Sequence, residues 1–132
     1  MAVINMLPKS RGVSSWNVFS WLNTRNAAGN GTITGGALTL GSNTTTILYA
    51  MAETKFSDSA SSAAANGTVI LQGSNDNSTW VNVDTLSWDT GTTSTQKSDT
   101  TTGYKYYRFQ LNVTTTGDGW SKISASGFIA YR

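Results

Sequence analysis

The sequence predicts an all-β fold, an antiparallel β-sandwich of the jelly-roll kind with an extended N-terminal arm. Three observations point there. Thr, Ser, Asn and Gly dominate the 132 residues, and charged residues make up only 12%. Thr is stiff at its branched Cβ and packs well on a pleated surface, so this mixture favours strands and turns over helices. Apolar residues recur at alternate positions through the second half of the chain, the period of a half-buried strand. The single proline, Pro8, lies near the start and interrupts no later strand.

Taken in order, residues 1–28 read as an arm and residues 29–132 as the sandwich. The arm carries Trp16, Val18, Phe19, Trp21 and Leu22 among polar residues. As a strand, Trp16, Val18 and Ser20 share one face, and Asn17, Phe19 and Trp21 the other. As a helix, Val18, Trp21 and Leu22 share a face, and the period does not decide. Two tryptophans are costly to leave in water, so they must pack on the sandwich or on a neighbouring subunit. Trp16, Phe19 and Trp21 are the candidate partner-binding residues.

Gly29-Asn30-Gly31 punctuates. Ile33, Ala37, Leu38 and Leu40 then suggest a strand broken at Gly35-Gly36. Thr44 to Lys55 is the next strand, with Ile47, Tyr49 and Met51 on one side and Leu48, Ala50 and Ala52 on the other. Both faces are apolar, which predicts a central strand. Ser57 to Asn66 is a polar linker. Val69 and Leu71 alternate with Thr68, Ile70 and Gln72. The strand runs into Gly73 to Ser78, where Asn, Asp, Ser and Gly force reversal through Asx hydrogen bonds and left-handed geometry. Trp80, Val81 and Val83 open the return strand, with Trp80 expected in the core. Asp89 to Gly103 reads as a long loop with an edge strand. In Tyr104 to Val113 the core face is Tyr107, Phe109, Leu111 and Val113, followed by a turn over Thr114 to Gly119. Ile123, Ala125, Gly127, Ile129 and Tyr131 form the last strand. Seven or eight short strands with polar turns make a sandwich or jelly roll.

The formal charge is +2, and the nine lysines and arginines are scattered. Nucleic-acid binding needs a basic stripe, which the sequence lacks. Neither cysteine nor histidine occurs. That removes thiol nucleophiles, Ser-His triads and nearly every zinc site, so no catalytic residue, metal ligand or cofactor is expected. No spacing among the acids suggests a glycosidase pair. Asn75 to Asn77 offers oxygens to calcium, but a turn closed by its own hydrogen bonds is the favoured reading. Five Asn-x-Ser/Thr sequons, at Asn30, Asn43, Asn66, Asn77 and Asn112, are expected by chance in this composition. MAVINMLPKSRG lacks the apolar run of a signal peptide, and no segment approaches a membrane span.

Gly67 to Trp80, GTVILQGSNDNSTW, together with Tyr104 to Val113, YKYYRFQLNV, resembles the signature of the discoidin (coagulation-factor type C), or galactose-binding-like, β-sandwich. The resemblance covers Gly31 to Arg132. It implies a rigid binding or assembly module and no enzyme, and it implies a structural role for Arg108. Small bacteriophage proteins with this look often use such a sandwich. The expectation is therefore a structural virion protein of a tailed bacteriophage, made in the host cytoplasm: a capsid decoration (cement) protein or a small tail or fibre component. Its partners would be capsid or tail proteins and further copies of itself, with trimers at lattice three-fold positions the natural guess. A second expectation is a carbohydrate-binding module or adhesin, with Trp88 and Trp120 as candidate glycan or partner contacts. An immunoglobulin-like domain lacks its Cys-Trp-Cys spacing.

Overall fold

The computed structural model describes residues 16–26, 31–57, 64–88, 94–116 and 121–132. Among these the secondary structure is entirely strand: β1 Asn17–Asn26, β2 Gly31–Thr34, β3 Leu38–Thr39, β4 Ile47–Ser57, β5 Ala64–Ser74, β6 Val81–Trp88, β7 Ser94–Thr101, β8 Tyr106–Thr116 and β9 Ser121–Tyr131. Two antiparallel sheets form. One has the order β1-β9-β4-β7, and the other β2-β8-β5-β6 with β3 also on β8. β2 and β3 lie one after the other along β8, interrupted where Gly35 N still donates to Phe109 O at 2.8 Å. Counted as one broken strand, they complete eight strands in jelly-roll order.

The core lies between the sheets, and period-two alternation fills it. β8 contributes Tyr107, Phe109, Leu111 and Val113, β4 Ile47, Tyr49 and Met51, β5 Val69 and Leu71, and β9 Ala125 and Ile129. β4 runs between β9 and β7, so it is central as its two apolar faces required. β7 has no apolar residue. It is held at the sheet edge by its backbone ladder to β4, from Ile47↔Thr101 to Thr54↔Ser94.

Two glycines let the sheets interlock. A Cβ at Gly127 of β9 would come within 2.5 Å of the Phe109 ring, and one at Gly35 within 2.6 Å of the Trp21 ring. The two rings stack on each other with centroids 5.8 Å apart. Each sheet thus lends a bare backbone position to the other sheet's aromatic.

The arm expected over residues 1–28 differs from this arrangement. Residues 17–26 are β1, paired along their whole length with β9, from Asn17↔Tyr131 to Asn26↔Lys122. The physical reason is that β1 carries large apolar groups on its inward face, and the sheet buries them. Residues 1–15 and 27–28 lie outside the described residues.

Candidate functional site

The three residues expected to bind a partner do not share a surface. In β1 Phe19 and Trp21 point inward. Trp21 is buried on Phe109, and Phe19 packs against the same core. Trp16 lies outside, with the Arg132 guanidinium 4.4 Å from its ring centroid. So Phe19 and Trp21 are used within their own chain.

The even positions of β1 open onto a surface that the sequence showed only in halves. Register aligns Val18 with Ala130, Leu48 and Thr100 across the four strands. The next row is Ser20, Phe128, Ala50 and Ser98. The third is Leu22, Ser126, Ala52 and Gln96, and the fourth is Thr24, Ser124, Thr54 and Ser94. None of these residues is charged. Val18 is 59% exposed, Leu22 70%, Leu48 41% and Phe128 37%, with Trp16 at 48% beyond the first row. These five are nearly all the large apolar side chains that the described residues leave in water, Val81 being the other. A shallow apolar groove of about 410 Å³ runs beside Phe128, floored by Ala50, Ala52, Ser126 and Gly127. The signal for half of this face lay in the even positions of β1 and β4. Their union needed the register through β9.

The outer face of the other sheet has the opposite chemistry. Thr32 donates to Asn112 Oδ1 at 2.8 Å, and Asn112 Nδ2 donates to Thr68 Oγ1 and Gln110 Oε1. Gln110 Nε2 donates to Thr34, Arg108 Nε to Gln72 Oε1 at 2.8 Å, and Gln72 Nε2 to Asn82. The Arg108 guanidinium lies 4.1 Å from the Trp80 ring centroid, a cation–π contact. Partial burial lowers its pKa. Trp80 was expected in the core and is not there. A bulge between Leu71 and Gln72 shifts the β5–β6 register, so β6 pairs Asp84 with Leu71 but Asn82 with Gln72. The extra residue, Val83, reverses the parity of what precedes it and turns Trp80 outward onto Arg108.

The turn after β5 closes on itself. Ser78 N and Thr79 N donate to Asp76 Oδ1 at 2.9 and 2.7 Å, and Ser74 Oγ donates to it at 2.9 Å. Asp76 N and Asn77 N donate to Ser74 Oγ. Asn77 adopts the left-handed region with φ 58°. The backbone bonds from Thr79 and Ser78, then the Ser74 hydroxyl, hold the Asp76 carboxyl down at about 2. Its Oδ1 is thus engaged by the turn. Among the described residues no three acids gather where a metal could be held.

One polar cluster ties the sheets together. Tyr49 OH on β4 donates to Asp84 Oδ2 on β6 at 2.5 Å, and Lys97 Nζ on β7 pairs with Asp84 Oδ1 at 2.5 Å. Burial raises the Asp84 carboxyl, but the bonds from Lys97, Tyr49 and the Thr85 amide outweigh it and the net shift is downward. Burial first, then Asp84, raises the Tyr49 phenol. Trp88 ends β6 opposite Gly67, its side chain outside the described residues, and Trp120 lies outside them altogether.

No family model and no curated protein matches the sequence. Solved structures match the fold. A chain from the structure of infectious bursal disease virus, Gx strain, aligns over 99% of this chain with a TM-score of 0.51 and 16% identity. This chain spans 36% of that one, about a third of its length. The Yersinia pseudotuberculosis-derived mitogen aligns over 84% of each chain, at TM-score 0.40 and 18% identity. A family 16 carbohydrate binding module-2 covers 77% of this chain and 70% of its own, at TM-score 0.42 and 20% identity. At these identities the likeness is one of fold, and among the three it rests on the virus chain. The class is an antiparallel two-sheet β-sandwich.

Proposed function

We propose that this chain is a non-enzymatic structural protein of a virus particle, on a sandwich of the discoidin, galactose-binding-like kind. Specifically, it is a capsid decoration (cement) protein or a small tail or fibre component of a bacteriophage, and it binds neighbouring capsid or tail subunits. The observation that carries this reading is the uncharged outer face of the β1-β9-β4-β7 sheet, with Trp16, Val18, Leu22, Leu48 and Phe128 left in water. A contiguous apolar surface in water marks an interaction site, and burying it is worth about 25 cal/mol per Å². Repetition over a lattice multiplies contacts that are weak singly. The likeness in fold to the virus chain supports the same reading. The test is quantitative mass spectrometry of particles purified from cells that carry the gene. The chain is expected in fixed proportion to the major capsid or tail protein. Its presence in the lysate and absence from washed particles would refute the reading.

The second reading, glycan recognition, is favoured by the other outer face, where amides and hydroxyls surround the Trp80–Arg108 pair. A glycan array decides it. Binding that is lost in Arg108→Ala would support it, and an array without signal would end it.

A further inference from the structure

The face named above is self-complementary, and we propose that its occupant is the same face of a second copy of this chain, related by a two-fold axis that lies in the interface and runs across the strands. This deepens the assembly reading by naming the partner and the geometry. The argument begins with the pattern along each strand. On β1, Ser20 is followed at the next outward position by the large Leu22. On β9, Phe128 is followed along the sheet by the small Ser126, in the same two rows. An axis midway between those rows sets Leu22 of one copy over Ser20 of the other, and Phe128 over Ser126. Ala50 then meets Ala52. Every large side chain of the two central rows meets a small one, which is what closely packed sheet faces about 10 Å apart require. The groove beside Phe128 is the space that receives the partner's ring.

The neutrality of the four rows and their area agree with this occupant. Two such faces meet without desolvating any ion, so a neutral face fits its own copy better than it fits a charged partner. One cation of β9 stands a row beyond each end of the face, Arg132 before the first row and Lys122 after the fourth. The axis across the strands keeps the two copies of Arg132 apart and sets each at the end that holds the other copy's Lys122, so the pairing should tighten as salt is raised. Four strands about 4.8 Å apart and four rows about 6.8 Å apart cover on the order of 500 Å² per copy. Two copies bury about 1,000 Å², at the lower limit for a specific interface. A reversible dimer dissociating on the order of 10 μM is expected, strengthened where a lattice adds further contacts. Pairing of this kind is isologous and closes at two copies, in contrast to the trimer that the sequence suggested.

Sedimentation equilibrium of the full chain from about 1 μM to about 500 μM tests the proposal, bracketing that dissociation constant. A monomer–dimer equilibrium is expected. Phe128→Glu should weaken it by at least tenfold while the far-ultraviolet circular dichroism stays that of the parent. Leu22→Ser and Ser20→Leu should each weaken it, by a hole and by an overlap. The double exchange Ser20→Leu with Leu22→Ser should restore it to within threefold, because it swaps large and small across the same axis. A monomer at every concentration, a trimer, a dimer indifferent to Phe128→Glu, or a double exchange without rescue would each overturn this pairing. The assembly reading fails separately. A chain found in particles yet monomeric in solution keeps that reading and loses this one, and a dimer absent from particles does the reverse.

Discussion

Replacing Gly127 by alanine tests the interlock that holds the sheets together. The added Cβ would stand 2.5 Å from Phe109 Cδ2 and 2.6 Å from Cε2 and Cγ, a full ångström inside ordinary contact. The ring cannot step aside easily. It is fully buried and stacks on Trp21, which is itself seated on the bare backbone of Gly35. Something in that column must shift, and overpacking of this kind costs about 1–3 kcal/mol. We place Gly127→Ala at about 3 kcal/mol, the upper end, because both ends of the column are closed. At about 3–5 °C per kcal/mol for a domain of this size, the melting temperature should fall by about 10 °C. Thermal and urea unfolding followed by circular dichroism measure it. Gly36→Ala is the control, since a Cβ there meets nothing within 4 Å. It should change stability by less than about 0.5 kcal/mol. Gly127→Ala combined with Phe109→Leu should recover part of the loss. A Gly127→Ala chain as stable as the parent would show that the column is not locked, and the account of sheet packing would fall with it.

The Asp84 cluster makes stability pH-dependent at both ends. The carboxyl titrates below its unfolded value, so its contribution is present above about pH 4 and is lost as the pH falls through the lower folded value. Asp84→Asn should flatten the acid limb of a stability–pH profile, and an unchanged limb would contradict this. The Tyr49 phenol titrates above its unfolded value, so its contribution holds below about pH 10 and is lost as the pH rises further. In an ultraviolet titration Tyr49 should ionise only with unfolding, and Tyr49→Phe should cost about 1.5–3 kcal/mol at neutral pH through the bond to a charged acceptor. In the turn, Asp76→Ala should abolish hydrogen-exchange protection of the Ser78 and Thr79 amides. Millimolar calcium should leave the parent's melting temperature unchanged, and a rise would assign the turn a metal.

What the sequence determined by itself is the all-β class and the inward faces of β4, β5, β8 and β9. Tyr107, Phe109, Leu111 and Val113 alternate with polar residues, and one face of a pleated strand can be buried only in that pattern. The turn from Asn75 to Thr79 was equally legible, because Asp and Ser side chains close it locally. β4 announced its central place by being apolar on both faces. Tertiary structure decided what depends on register. β1 reads as an arm because its apolar residues fall on both faces, and only pairing with β9 shows that one face is core and the other surface. Trp80 reads as core from its place at the start of a strand, while a bulge beside Gln72 turns it out onto Arg108. Leu22, Leu48 and Phe128 are distant in the chain, and nothing in the local sequence of any one points to the other two. They become one surface because hydrogen-bonded strands lock neighbours at about 4.8 Å, a constraint that acts between segments and leaves no trace in the local order of residues.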